Sequence, residues 1–240
     1  ETTETRTIYN TATCLKSTYL VADAVFLVDN QRYVKKDAPA ENNINSINAR
    51  VVEPFYNVLC AGEETDRRFV GSKTLDAGDI IQTLTGWTVI GGGTSRLERR
   101  LPFCGRKRDF RDKMTDTSRA VHAMDQAFSE LSMTIDPADV GRALYLLTAP
   151  AREMSMDVMK QLGDNLRNLA PNALIRSGDY PRDNKRVDVT VVMSEIAAIR
   201  KVTDYFTKAI DLISVMKAKK GLGYQTRRLE EAFDDIPVLL

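Results

Sequence analysis

Two acidic side chains stand close together in the stretch Thr74-Leu75-Asp76-Ala77-Gly78-Asp79. A short helix is expected to run from here through Leu84, and a spacing of three then puts Asp76 and Asp79 on one face at its start. A carboxylate pair so placed can orient and partly deprotonate a water molecule. It can equally serve the helix itself, with Asp76 as N-cap and Asp79 as a first-turn acid at the positive end of the dipole. Amide side chains form a second set: Asn30 ends a short apolar run, and Asn45 and Asn48 lie on a longer helical pattern with Ile44 one turn before Asn48. An amide offers donor and acceptor together. Other reactive residue types are sparse. His122, the single histidine, sits between Val121 and Ala123 in a helical stretch, without the partners that catalysis needs. Cys14, Cys60 and Cys104 lie too far apart for a disulfide framework or a zinc site and read as free thiols; no metal site is expected.

Charge and glycine content narrow the field further. A net charge of +1 argues against a chain steered as a whole onto nucleic acid or membrane. Locally, Arg96–Lys113 holds eight basic and three acidic residues and is expected to form a mobile surface loop, because its charges cannot be buried cheaply. A nucleic-acid or anionic-lipid contact is the alternative there, although Phe103 and Phe110 alone make no stacking platform. The triplet Gly91-Gly92-Gly93 runs on into Leu97-Glu98-Arg99-Arg100, not into a helix start that could hold phosphate. It is expected to end a strand and open that loop.

The elements that must position these residues follow from periodicity. Ala24–Val28 is continuously apolar, as in a strand buried on both faces of a parallel sheet. Ile44, Ile47, Val51, Val52, Phe55, Val58 and Leu59 recur at helical spacing and predict a long, well-buried helix with a kink or short break at Pro54. Beyond the acidic loop come a strand at Trp87–Ile90, a helix from Thr117 to about Leu131, a strand at Arg142–Thr148 and a helix at Ser155–Leu169. Strands at Ala173–Ser177 and Arg186–Met193 and a helix from about Ile196 to Lys220 complete the order. Ile199, Val202, Phe206, Ile210, Ile213 and Met216 form one stripe on that last helix, which should dock on the sheet or on a partner. No apolar run is long enough to span a bilayer and the opening Glu1-Thr2-Thr3-Glu4-Thr5 is polar, so a cytoplasmic location is expected.

This order of elements, with the wording ADAVFLVDN, SINARVVEPFYNVLCAGEE, GRALYLLTAP and SGDYPRDNKRVDVTVV, resembles the second half of the tubulin/FtsZ superfamily, above all the archaeal CetZ group. The resemblance covers roughly residues 8 to 235. It implies an α/β fold: residues 1–38 as the end of a Rossmann-like GTPase domain, 39–62 as the central helix, and 63–86 as the catalytic loop and short helix. Residues 87–220 then form a C-terminal α/β sandwich with a mixed sheet, containing the basic loop 96–115, and 221–240 form a tail.

It further implies a cytoskeletal GTPase that assembles head to tail and serves cell shape, with a division filament or a non-catalytic scaffold as alternatives. GTP or GDP, with Mg2+ possible beside GTP, would be bound mostly by a domain carrying GGGTGTG, a signature absent from these residues. The resemblance places Asn30 and Asn48 against guanine, with Asn45 as a rival to Asn48, and Ile44 on the face of the base where relatives carry an aromatic residue. It makes Asp76 and Asp79 the acids that act on a neighbour's nucleotide, and the chain alone inactive. Thr74 stands where FtsZ usually has asparagine. In the tail, Phe233, Ile236, Pro237 and Leu239 resemble the short peptide by which FtsZ meets adaptors.

Overall fold

A computed structural model describes residues 5–34, 40–64, 66, 68–97 and 110–218. Most of the basic loop, and the tail with Phe233, Ile236, Pro237 and Leu239, lie outside the described residues. The strands are β1 (Ala24–Phe26), β2 (Gly86–Arg96), β3 (Val140–Ala149), β4 (Leu174–Pro181) and β5 (Arg186–Ile196). They form one mixed sheet in the order β1-β2-β5-β3-β4. β1 runs parallel to β2, β3 runs parallel to β4, and β5 is antiparallel to both β2 and β3.

The helices are α1 (Thr5–Val21), α2 (Ala40–Gly62), α3 (Ala77–Thr83), α4 (Phe110–Ser129), α5 (Met156–Leu169) and α6 (Arg200–Ala218). Strand alternation divides the core in two. Val89, Ala143, Tyr145, Val189, Val191 and Met193 face α4 and α5. Ile90, Leu144, Leu146, Tyr180 and Val192 face the other way, onto Val58 and Ala61 of α2 and onto Leu75 and Ile80 at α3. The side chains toward α4 and α5 also join Ile199, just before α6, with Val202, Phe206 and Ala209 of α6 and Ile8 and Ala12 of α1, so the last helix docks on α1.

Several expectations need correction. The strand begun at Trp87 does not stop at the glycines but continues to Arg96. A Cβ at Gly91 would lie 2.1 Å from the Ala127 carbonyl oxygen and one at Gly93 1.9 Å from that of Ala123. The glycines are there because α4 lies directly on the backbone of β2. Gly92 faces the opposite side, where a Cβ would come within 2.8 Å of Pro54 Cγ. α2 runs through Pro54 without a break, and the proline ring occupies the space that Gly92 leaves. α4 starts at Phe110, seven residues before the expected start, so the end of the basic stretch is helical.

α2 is also less buried than its pattern suggests. Ile47 and Val58 are buried, but Ile44, Val52, Phe55 and Leu59 are 36 to 59% exposed, because the sheet covers only one side of the helix. On α6, Ile210 leaves the stripe and is half exposed. β1 is three residues long, half-buried and at the sheet edge, not a strand covered on both faces. α1 had no expected counterpart; its threonines and β-branched residues give only a weak helical signal.

Candidate functional site

β4 is the far edge of the sheet, and edge strands leave unpaired peptide groups. The segment leading from α2 to α3 covers that edge. The Gly71 amide donates to the Asp179 carbonyl (3.0 Å) and the Asp179 amide donates to the Lys73 carbonyl (2.9 Å). A Cβ at Gly71 would lie 2.2 Å from the Asp179 carboxylate, so only glycine permits this approach. That carboxylate is itself buried and accepts from the Ser72 amide (3.0 Å), the Ser72 hydroxyl (3.2 Å) and the Lys73 amide. Next along β4, the Tyr180 hydroxyl accepts from the Leu75 amide (2.9 Å) and donates to the Leu75 carbonyl (3.0 Å). Burial pushes the Tyr180 phenol above its ordinary pKa, with the bond to Leu75 opposing.

Closer to α2, Arg182 anchors the start of the loop. It pairs with Glu64 (2.9 Å), donates to the Phe69 carbonyl (3.1 Å) and lies 5.0 Å over the Phe69 ring. At the outer surface the Arg68 guanidinium holds the Asp66 carboxyl down at about 2.

The loop delivers Asp76 and Asp79 to the start of α3. Asp76 caps the helix, accepting from the Asp79 amide at 2.7 Å, while Asp79 reaches back to the Asp76 amide at 3.5 Å in a capping box. Gly78 makes room: a Cβ there would stand 3.1 Å from Asp76 Oδ1. Asp79 also accepts from Arg176 Nε of β4 at 3.1 Å. The capping role expected for both acids is therefore present, and the two carboxylates share one face.

The amide-bearing residues lie at the other end of α2. Asn30 opens a 3-10 turn, Asn30–Arg32, capped by Asp29, which pairs with Lys201 of α6 at 2.7 Å. Tyr33 follows, its hydroxyl donating to the Glu130 carbonyl and its ring 5.9 Å beneath Arg50, which pairs with Glu130. These contacts bring the Asn30 turn alongside the first half of α2. Asn30, Ile44, Asn45 and Asn48 are all exposed. Asn30 borders a cavity of about 370 Å3 between β1, α1 and α6, whose described lining includes none of Ile44, Asn45 and Asn48.

The two sets attach to α2 at different ends. Asn48 and Gly62 are 14 residues apart on α2, which at 1.5 Å per residue is roughly 21 Å, and the acidic loop begins beyond that. His122 is exposed, Cys14 and Cys60 are free thiols, and among the described residues no three His, Cys, Asp or Glu side chains converge. No described helix is long and apolar enough to cross a membrane.

Arg176, Asp179, Tyr180 and Arg182 carried no expected role. A signal for them existed: Asp179 sits between glycine and tyrosine inside a strand, where aspartate is disfavoured unless something binds it.

Residues 39–211 match the family described as tubulin-like CetZ, C-terminal domain. Tubulin-like protein CetZ3 of Haloferax volcanii is 25% identical over 206 residues, which are 82% of this chain and 53% of that protein. Tubulin-like protein CetZ1 of the same organism is 22% identical over 203 residues, 79% of this chain and 51% of that protein. Among solved structures, CetZ2 from Haloferax volcanii in a GTPγS-bound protofilament aligns with a TM-score of 0.69 at 18% identity, covering 89% of this chain and 58% of that one. An FtsZ dimer from M. jannaschii aligns with a TM-score of 0.57 at 17% identity, covering 84% of this chain and 54% of that one. The chain spans about half the length of the curated relatives it matches. The mixed α/β fold is shared with these structures.

Proposed function

Because the chain belongs to the tubulin-like CetZ family, we propose that it is the second half of a cytoskeletal GTPase subunit that stacks head to tail in the cytoplasm and serves cell shape. A nucleotide-binding half, in the part of the relatives' length that this chain does not span, would hold most of the GTP and its Mg2+. It would also cover the exposed stripe Ile44, Val52, Phe55 and Leu59 of α2. Asn30 and Asn48 would meet guanine with their amides, and Ile44 or Asn45 would border the base.

One observation carries this reading: the amides lie on the first half of α2 and its neighbouring turn, whereas the loop that bears the carboxylates leaves the helix at its carboxyl end, roughly 21 Å along the axis from Asn48. Two sets so placed are most simply brought to one nucleotide by two subunits. Stacking in one direction sets the acidic end of each subunit against the amide end of the next, an arrangement that propagates as an open filament. Asp76 and Asp79 then face the neighbour's γ-phosphate. A carboxylate there accepts a hydrogen bond from the attacking water, aligns it with the phosphorus and takes up its proton as the bond forms. The Mg2+ beside the phosphates would neutralise the charge on the leaving oxygens, with ligands drawn from the nucleotide and its own domain.

A second reading has its own support. Both acids already have partners within the chain, Asp76 as helix cap and Asp79 with Arg176. A non-enzymatic scaffold that kept the fold and lost turnover would need no more than this. The deciding experiment is GTP turnover and pelleting of the full-length subunit, wild type against Asp79→Ala. Polymer that forms with GTP but hydrolyses it far more slowly in the mutant supports the acid acting in trans. Equal inactivity of both proteins, with no pellet, leaves the scaffold. The 240-residue chain alone is expected neither to hold GTP tightly nor to hydrolyse it.

A further inference from the structure

β4 presents Arg176, Gly178 and Tyr180 two residues apart on the face against which the acidic loop lies. Tyr180 ties the loop at Leu75, and Gly178 leaves the space Leu75 fills, since a Cβ there would come within 2.8 Å of Leu75 Cγ. Arg176 reaches further, to α3. Its Nε donates to Asp79 Oδ1 at 3.1 Å and its Nη2 donates to Gln82 Oε1 at 2.6 Å. The side chain is only 18% exposed, and Nη1 is buried without a hydrogen-bond partner among the described residues. Burying a guanidinium nitrogen unpaired is unfavourable, so stability alone does not account for this placement.

The contact suits a carboxylate that has to act. An aspartate that aligns water must hold one oxygen in a fixed direction. A planar guanidinium bonded at once to Asp79 and to Gln82, three residues on, fixes the plane of the carboxylate. Two carboxylates approaching a triphosphate also meet like charge, and a cation at 3.1 Å from one of them offsets half of it. The Asp76 cap restrains the backbone but contributes no positive charge. We propose that Arg176 is the positioning residue for Asp79, an inference that rests on the reading of Asp79 as an acid acting on the neighbour's nucleotide.

The test uses the full-length subunit as Arg176→Met, Arg176→Lys, Asp79→Ala and the double variant Asp79→Ala/Arg176→Met. GTP turnover per pelleted subunit and the critical concentration for assembly are read separately. Arg176→Met is expected to lower turnover roughly 10- to 100-fold, the scale set by misplacing a reacting group, at unchanged critical concentration. Arg176→Lys keeps the charge but not the fork and should recover part of the loss. On the Asp79→Ala background, Arg176→Met should cost nothing further.

Wild-type turnover in Arg176→Met, with Asp79→Ala slow, overturns the positioning role and leaves the reading of Asp79 standing. An added loss in the double variant overturns the role as well. Wild-type turnover in Asp79→Ala removes both. If Arg176→Met does not fold by circular dichroism, Arg176→Lys decides: slower turnover at unchanged melting temperature supports the role, and unchanged turnover sinks it.

Discussion

At the carboxyl end of α2 the amides of Gly71, Ser72, Lys73 and Leu75 all finish on Asp179 or Tyr180, whereas at its amino end Ile44, Asn45 and Asn48 stand in solvent beside an exposed Asn30. The difference follows from where the partners are encoded. The acceptors of those amides lie on β4, and Arg182 directly after it anchors the start of the loop. The amide end is tied down beside its asparagines, through Asp29 to Lys201 and through Tyr33 and Arg50 to Glu130, while the amides themselves stay exposed.

Substitutions should separate the two ends by stability first. Asp179→Ala strips acceptors from the Ser72 and Lys73 amides in a buried setting and is expected to cost about 3 kcal/mol, read as a lower denaturant midpoint at constant m-value. A change under 1 kcal/mol would mean that water replaces the carboxylate and the loop is not held by it. Tyr180→Phe leaves one buried amide and one carbonyl of Leu75 without a side-chain partner and should cost roughly 1 to 2 kcal/mol.

The same variant has a pH signature. Tyr180 has a raised folded-state pKa, so its contribution is complete below the ordinary tyrosine value of 10.0 and declines as pH climbs past it. Stability in alkali should therefore fall less steeply in Tyr180→Phe than in the wild type. Asp66 is the opposite case. Its lowered pKa gives a contribution present above the ordinary value of 3.8 that fades as pH falls toward about 2, so Asp66→Asn should lower the neutral midpoint slightly and flatten that acid limb. The smallest effect belongs to the amide end: Asn48→Ala should leave stability within about 0.5 kcal/mol, while in the full-length subunit it weakens GTP binding. A large loss of stability in Asn48→Ala would erase the contrast between the ends.

Periodicity made most of the elements legible before any coordinates. The valines of β5 and the Ser155 cap of α5 announced their elements within a few residues. The long α2 was legible too, but not which side of it would be covered, because an apolar stripe does not name what lies against it. Gly91–Gly93 misled for a related reason: a glycine that ends a strand and one that admits a helix against the strand have the same side chain, and only the position of Ala123 and Ala127 tells them apart. Asp76 and Asp79 could be found as a pair from spacing alone. Arg176 could not, because it lies 97 residues from Asp79 and reaches it only through the pairing of β4 with β3.

The hold of β4 on the acidic loop also sets an order of events during synthesis. Ser72 and its acceptor on Asp179 are 107 residues apart in the chain. At roughly 5 to 20 residues per second, a ribosome that has made the loop needs about 5 to 20 s more to make the strand that shapes it. Until then the Ser72 and Lys73 amides lack Asp179 and Asp79 lacks Arg176, so the loop takes its full set of contacts only after β4 has been made.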